Sequence, residues 1–186
     1  MMDKKRLKEF RAMRKARRKE FHDKYIERLM HHYGKDIINS ENFQQSDENI
    51  QHGDVSVKEH SLSVTRSSIR LAKFLKIRFS HRDLIRGALL HDYFLYDWHI
   101  PDPTGERKLH GFAHPSVALR NAEKEYELSD RQRNIISRHM WPLTLKPPTC
   151  REAWVVTMAD KYVSLKETLR GKRKKGSKPR KHGGNS

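Results

Sequence analysis

Six side chains between positions 60 and 160 carry the chemistry this sequence offers: His60, His91, Asp92, His114, His139 and Asp160. Each sits at helical spacing from apolar neighbours. His60 lies four residues before Val64, and His114 four before Ala118. His91 follows Ala88 by three residues and Leu84 by seven, and Asp92 follows Leu89 by three and Ala88 by four. His139 follows Ile135 by four and Ile136 by three, and Asp160 follows Val156 by four and Ala153 by seven. These offsets put each polar group on or beside a core-facing helix stripe. One histidine in such a place is usually a hydrogen-bonded core residue. Six polar groups brought by five helices are harder to satisfy among themselves, because a buried carboxylate or imidazole without partners is costly. A divalent metal satisfies them together, with nitrogen from His, oxygen from Asp, and one Asp able to bridge two ions about 3.5–4 Å apart.

The elements that must position these groups read as helices throughout. Residues 3–33 lack Pro and Gly and are rich in good helix formers. Phe21, Tyr25, Leu29 and Tyr33 recur every four residues there, a stripe able to dock on a body. Residues 39–54 (NSENFQQSDENIQHGD) read as a polar linker. A helix from about 56 puts Val64, Leu71 and Leu75 on one face, flanked by Leu62, Ile69 and Ala72. Further helices are predicted over 81–92, 113–127, 129–140 with Ser129 as N-cap, and 150–169. The Pro- and Gly-bearing stretch 93–111 reads as loop, and a structureless connection of that length is usually functional. No internal repeat and no alternating strand pattern is visible. The expected fold class is all-α, divided into a basic helical arm (1–38), a linker (39–54), a metal-binding domain (55–169) and a disordered basic tail (170–186).

Composition narrows the function classes. The chain has 186 residues, enough for one domain with appendages, and a formal net charge of +17. Residues 1–34 hold 12 basic and 5 acidic side chains, and 161–186 hold 10 and 1, whereas 35–160 hold 18 and 17. Charge therefore speaks for the two ends, and the middle has an ordinary globular composition. A single cysteine, Cys150, excludes an intramolecular disulfide scaffold and favours a reducing, cytoplasmic setting. No apolar run is long enough for a membrane span, and the charged N-terminus has no apolar stretch behind it of the kind a secretory signal needs.

The order His60, then His91-Asp92, then Asp160 resembles the HD superfamily of metal-dependent phosphohydrolases, with its H…HD…D signature. With His114 and His139 it resembles the H…HD…H…H…D variant, which holds two metals. The local wording is also similar: GALLHD (87–92), HPSVALRNA (114–122) and MADKY (158–162). The resemblance covers about 52–168. It implies an HD-type helical bundle in which His60, His91, Asp92 and Asp160 hold one metal and His114 and His139 the second, with Asp92 bridging. It further implies divalent transition metal, two ions of Mn or Fe, with Co, Ni and Zn as further candidates. The substrate it implies is a small phosphorylated metabolite, a nucleotide by analogy with the family. Two departures stand out. The Lys that often follows the HD pair by three residues is Leu95 here, and the GYP motif of the cyclic-dinucleotide branch is replaced by MWPL after His139.

Groups that could position substrate are Lys161 and Arg138, each beside a ligand, and Trp98, His99, Arg107, Lys108 and His110 in the loop. Asp92 and Lys161 are the catalytic candidates. Asp97 is either a partner orienting a ligand or a turn residue. His52, His81 and His110 are not expected to be ligands, His31 and His32 are expected to be exposed on the arm, and Trp141 is expected to pack. Two rival readings remain at this stage. One is a nucleic-acid-associated protein binding through its basic ends by phosphate neutralisation, with a structural or regulatory core. The other is an oxygen-activating di-iron site on the same scaffold.

Overall fold

The structure is a computed structural model, and it describes residues 3–52, 54–96 and 110–176. In chain order the elements are α1 (Lys4–Ile38), α2 (Glu41–Gln45), β1 (Ile50–His52), β2 (Val55–Ser56), α3 (Val57–Phe74), α4 (His81–Leu90), α5 (His110–Glu125), α6 (Asp130–Arg138) and α7 (Arg151–Gly176). The fold is all-α apart from the small antiparallel pair β1–β2, in which Ile50 faces Ser56.

Serines start four of these helices. The side chains of Ser40, Ser56, Ser80 and Ser129 accept from the backbone N–H of Phe43, Glu59, Asp83 and Gln132 at 3.2–3.3 Å. Each satisfies an N–H that the first helical turn leaves without a partner. Gln132 returns the bond to the Ser129 N–H and completes a capping box.

The core is built round α4, which packs against α1, α3, α5, α6 and α7. Every residue from Leu84 to Leu90 is buried, as expected of a helix enclosed on all sides. The one charge among them, Arg86, donates from a single terminal nitrogen to both Asp36 oxygens at 2.7 Å, and its guanidinium lies 5.6 Å from the centre of the Tyr126 ring. Burial pushes the Asp36 carboxyl up, but the bond to Arg86 and its charge outweigh this and hold it below the usual range.

α4 and α6 lie side by side in parallel register. At their starts Asp83 accepts from Ser129 Oγ at 2.7 Å and from Gln132 Nε2 at 3.0 Å. One turn on, Gly87 faces Ile135 so closely that a Cβ would stand 2.5 Å from Ile135 Cδ1 and 3.0 Å from its Cβ. One turn further, the rings of His91 and His139 meet at 5.0 Å. The two helices therefore deliver their C-terminal residues to the same place.

The structure differs from the sequence reading in several elements. On α1 the buried residues are Ile26, Met30, Gly34 and Ile37, and Phe21 is 68% exposed. The docking face is thus turned away from the Phe21 stripe, with Tyr25, Leu29 and Tyr33 half-buried at its edge. The segment 39–54 is not a featureless linker, since it holds α2, β1 and the buried Phe43. On α3, Val64 is buried but Leu75 is 46% exposed, because the helix ends at Phe74. α5 begins at His110 rather than 113. α7 continues to Gly176, so 170–176 of the expected disordered tail are helical, while 177–186 lie outside the described residues.

Candidate metal centre

The ends of α4 and α6 use one device twice. His91 and His139 are the residues that follow the last turns of those helices. The last carbonyls of a helix lack intrahelical partners. Here His91 Nδ1 donates to Ala88 O and His139 Nδ1 donates to Ile136 O, both at 2.8 Å. A carbonyl can only accept, so Nδ1 carries the hydrogen and Nε2 of each neutral ring presents its lone pair inward. The fold thereby fixes the tautomer as well as the ring direction.

Asp92 stands between two pairs of histidines. Its Oδ2 is 3.3 Å from His91 Nε2 and 3.7 Å from His60 Nε2. Its Oδ1 is 3.2 Å from His114 Nε2 and 3.4 Å from His139 Nε2. Two donor groups result, His60–His91–Asp92 and Asp92–His114–His139, all buried and sharing the one carboxylate. Asp160 Oδ1 lies against the first group, 3.1 Å from His60 Nε2 and 3.9 Å from His91 Nε2. All six residues named from the sequence are thus in one cluster.

The electrostatics follow from packing imidazoles and carboxylates together in the buried interior. Burial pushes the His60 imidazole down, but bonds to Asp160 and Glu167 and the charges of Asp160 and Asp92 raise it to about 10. Burial also opposes ionisation of Asp92 and Asp160, yet the surrounding histidines hold both carboxyls below their usual range. Burial dominates at His139 and lowers it. His91 Nε2 and Asp92 Oδ1 are fully buried with no hydrogen-bond partner among the described residues. Orphaned polar atoms at such depth call for an explanation, and a bound cation supplies it: the donors are nitrogen and oxygen, which suit a divalent transition metal.

Two groups that sequence reasoning did not pick out hold this cluster. Glu167 Oε2 accepts from His60 Nδ1 at 2.9 Å, and Gln51 Nε2 donates to Asp92 Oδ2 at 2.7 Å. The signal for Glu167 was present: it is the one acidic residue in 161–186, and with Asp160 and Ser164 it falls on one face of α7 at i, i+4 and i+7. Gln51, within a polar run, gave none. It reaches the centre because β1 pairs with β2 and lays the segment over the cluster. A carboxylate on the outer nitrogen of a ligating histidine fixes its ring and raises its basicity. A Glu167→Ala protein is therefore expected to bind Mn(II) or Zn(II) about 10–100-fold more weakly. Glu167→Gln should fall between, since its amide oxygen still accepts from Nδ1. Calorimetric titration of the metal-free protein reads the difference directly.

The expected substrate-positioning groups fare differently. Lys161 is exposed on α7, and the Arg138 guanidinium donates to Pro147 O at 2.8 Å. Trp98, His99, Arg107, Lys108 and Asp97 lie outside the described residues. His110 opens α5. His81 stacks near Tyr33 and Phe79, His31 and His32 are exposed, and Trp141 packs edge-on against Trp154 at 5.0 Å.

A helical bundle that gathers histidine and aspartate from four helices into two joined nitrogen-and-oxygen donor groups, with Asp160 of a fifth against the first, could hold divalent metal. The family model of the HD domain matches residues 57–165, more than half of the 186-residue chain, and the chain belongs to that family. Its members are mostly metal-dependent hydrolases. Searches of curated proteins and of solved structures return no match. Among the described residues no helix is long and apolar enough to cross a membrane.

Proposed function

We propose that this chain is a metal-dependent phosphohydrolase with two ions in the centre, acting on a small phosphorylated metabolite and most naturally a nucleotide. The observation that carries the reading is the division of Asp92, whose two oxygens face different histidine pairs. That is the disposition of a bridging carboxylate. His60, His91, Asp92 and Asp160 would hold one ion, and His114, His139 and Asp92 the other. Bound divalent ions lower the pKa of water and neutralise charge on phosphate oxygens.

The chain's own residues supply the rest. The helix-end carbonyls of Ala88 and Ile136 keep His91 and His139 aimed inward. Gln51 and Glu167 hold Asp92 and His60 in place. The burial of all six donors keeps bulk water away from them and strengthens each interaction within. Beside His114, a cleft of about 820 Å³ is lined by Phe94, Tyr96, Ser116, Arg120 and Asn121. Its volume falls in the range of small-molecule sites. Two aromatic rings next to an arginine and an amide suit a base and a phosphate. The Leu95 at the position of the family's frequent lysine lines the same cleft, so phosphate contact there falls to other groups such as Arg120.

The test is metal content per chain on protein purified without a chelator, followed by phosphate release from nucleoside mono-, di- and triphosphates. About two equivalents of transition metal are expected for a binuclear site, with release that stops on chelation. Metal-free protein that takes up neither Mn nor Fe would overturn the reading. Oxygen-dependent turnover at an iron-loaded centre would replace it with the oxidative one.

A further inference from the structure

The metal centre makes no use of the first half of α1. Residues 3–21 are all exposed, and the helix first meets the body where Asp23 accepts from Arg70 at 2.9 Å, Lys73 sits over Tyr25 and Glu27 pairs with Arg66. From Lys4 to Lys19 there are ten Lys or Arg and one acid, Glu9. At 1.5 Å per residue this segment is about 24 Å long. Like charges recur one turn apart along it, at Lys4 and Lys8, Arg11 and Lys15, Arg14 and Arg18, and Lys15 and Lys19. Such pairs destabilise an isolated helix, and here no packing offsets the cost. A polyanion would.

We propose that this arm binds the phosphate backbone of a nucleic-acid duplex. Three features favour that partner. First, the cations face several sides of the helix: at 100° per residue Lys8, Lys15 and Lys19 lie opposite Arg6 and Arg17, with Arg11, Arg14 and Arg18 on a flank between. A helix lying in a major groove about 12 Å wide meets phosphates along both walls, and cations on opposite sides suit that setting. Second, the weak apolar stripe of Leu7, Phe10 and Met13 has Arg14 and Arg17 within its arc. Docking that face in a bilayer would bury both, which speaks against a lipid surface. Third, the polar side chains of Lys4–Lys19 are Lys and Arg apart from Glu9, the side chains that neutralise phosphates.

The experiment is fluorescence anisotropy of labelled random-sequence duplex DNA and duplex RNA, titrated with the full chain from 50 to 200 mM salt. Neutralising six to ten phosphates should lower affinity by about 10³–10⁵-fold over that range. Arg11, Arg14, Lys15, Arg17 and Arg18 line one stretch of the arm's surface. Replacing all five with Gln should weaken binding sharply and flatten the log–log salt slope by about 4–5. It should leave metal content and melting temperature unchanged, since residues 3–21 are all exposed among the described residues. Asp92→Ala should bind the duplex like the wild type, so failure of the hydrolase reading leaves this one standing. No duplex binding at 50 mM salt, equal binding by the five-fold variant, or capture by phosphatidylserine vesicles in preference to either duplex would each overturn the proposal. Preference for duplex DNA is expected, and preference for duplex RNA would overturn the groove assignment, because the A-form major groove is deep and narrow.

Discussion

An Asp92→Ala protein is expected to lose metal binding and turnover together, the latter by roughly 10³-fold or more. No other residue in the cluster faces both donor groups: Oδ2 stands within 3.7 Å of two histidines and Oδ1 within 3.4 Å of two others. Substituting His114 or His139 removes a donor from one group alone and should leave about one equivalent of metal behind, whereas Asp92→Ala should leave none that survives dialysis. The folded state should also be weakened, because removing one member of a buried charge cluster leaves His91, His114 and Gln51 without their partner and costs about 3–5 kcal/mol. The distinguishing readout is thermal. At metal concentrations of 100 Kd a bound ion adds about 2.7 kcal/mol to stability, so saturating Mn(II) should raise the melting temperature of the wild type and leave that of Asp92→Ala where it was. A variant that keeps its metal and hydrolyses at the wild-type rate would remove Asp92 from the mechanism.

The second large effect is expected one turn before His91, at Gly87, which supplies no donor atom. The α4–α6 pair is tied at its start by Asp83 and delivers His91 and His139 at its end. Gly87 is the point of closest approach between the two. Helix propensity favours Gly87→Ala by about 1 kcal/mol. Against this, the new Cβ would stand 3.0 Å from Ile135 Cβ, a branch point that cannot swing aside, as well as 2.5 Å from Cδ1. Overpacking of that kind costs about 1–3 kcal/mol, so the alanine variant should lie from near neutral to modestly destabilised. Gly87→Val, bulkier and less suited to a helix, should lose several kcal/mol. It should also weaken metal binding, because forcing the helices apart separates the histidines they present. Ile135→Val removes Cδ1 and should partly rescue Gly87→Ala, with a coupling of about 0.5–3 kcal/mol in a double-mutant cycle read by urea unfolding. Additive effects would mean the two residues are not in the contact described.

How much of this was legible beforehand depended on whether the signal was local. The six donors could be named because each lies at fixed helical offsets from apolar neighbours, and a helix obeys those offsets wherever it packs. Ser129 could be named as an N-cap for the same reason. The docking face of α1 could not. Phe21, Tyr25, Leu29 and Tyr33 and the buried set Ile26, Met30, Gly34 and Ile37 are neighbouring stripes on one helix, and which of them faces inward is settled by where α4 lies. Gln51 was out of reach because a glutamine in a polar stretch carries no periodicity, and its place over Asp92 depends on a strand pairing too short to leave a pattern. Glu167 was half-legible, placed on the last helix and conspicuous by its charge among basic neighbours, but without a partner that the sequence could name.

The position of those last two residues bears on where this HD module begins and ends. The span by which the family is recognised, 57–165, contains every donor but neither Gln51 nor Glu167. The recognisable unit is therefore smaller than the working one. Excised at its recognised borders, the domain would keep all its ligands and lose two of the contacts that steady them, and the least portable piece runs from 51 to 167. It also means that metal preference in this chain can be retuned from the flanks, by altering what orients Asp92 and His60, without touching a ligand.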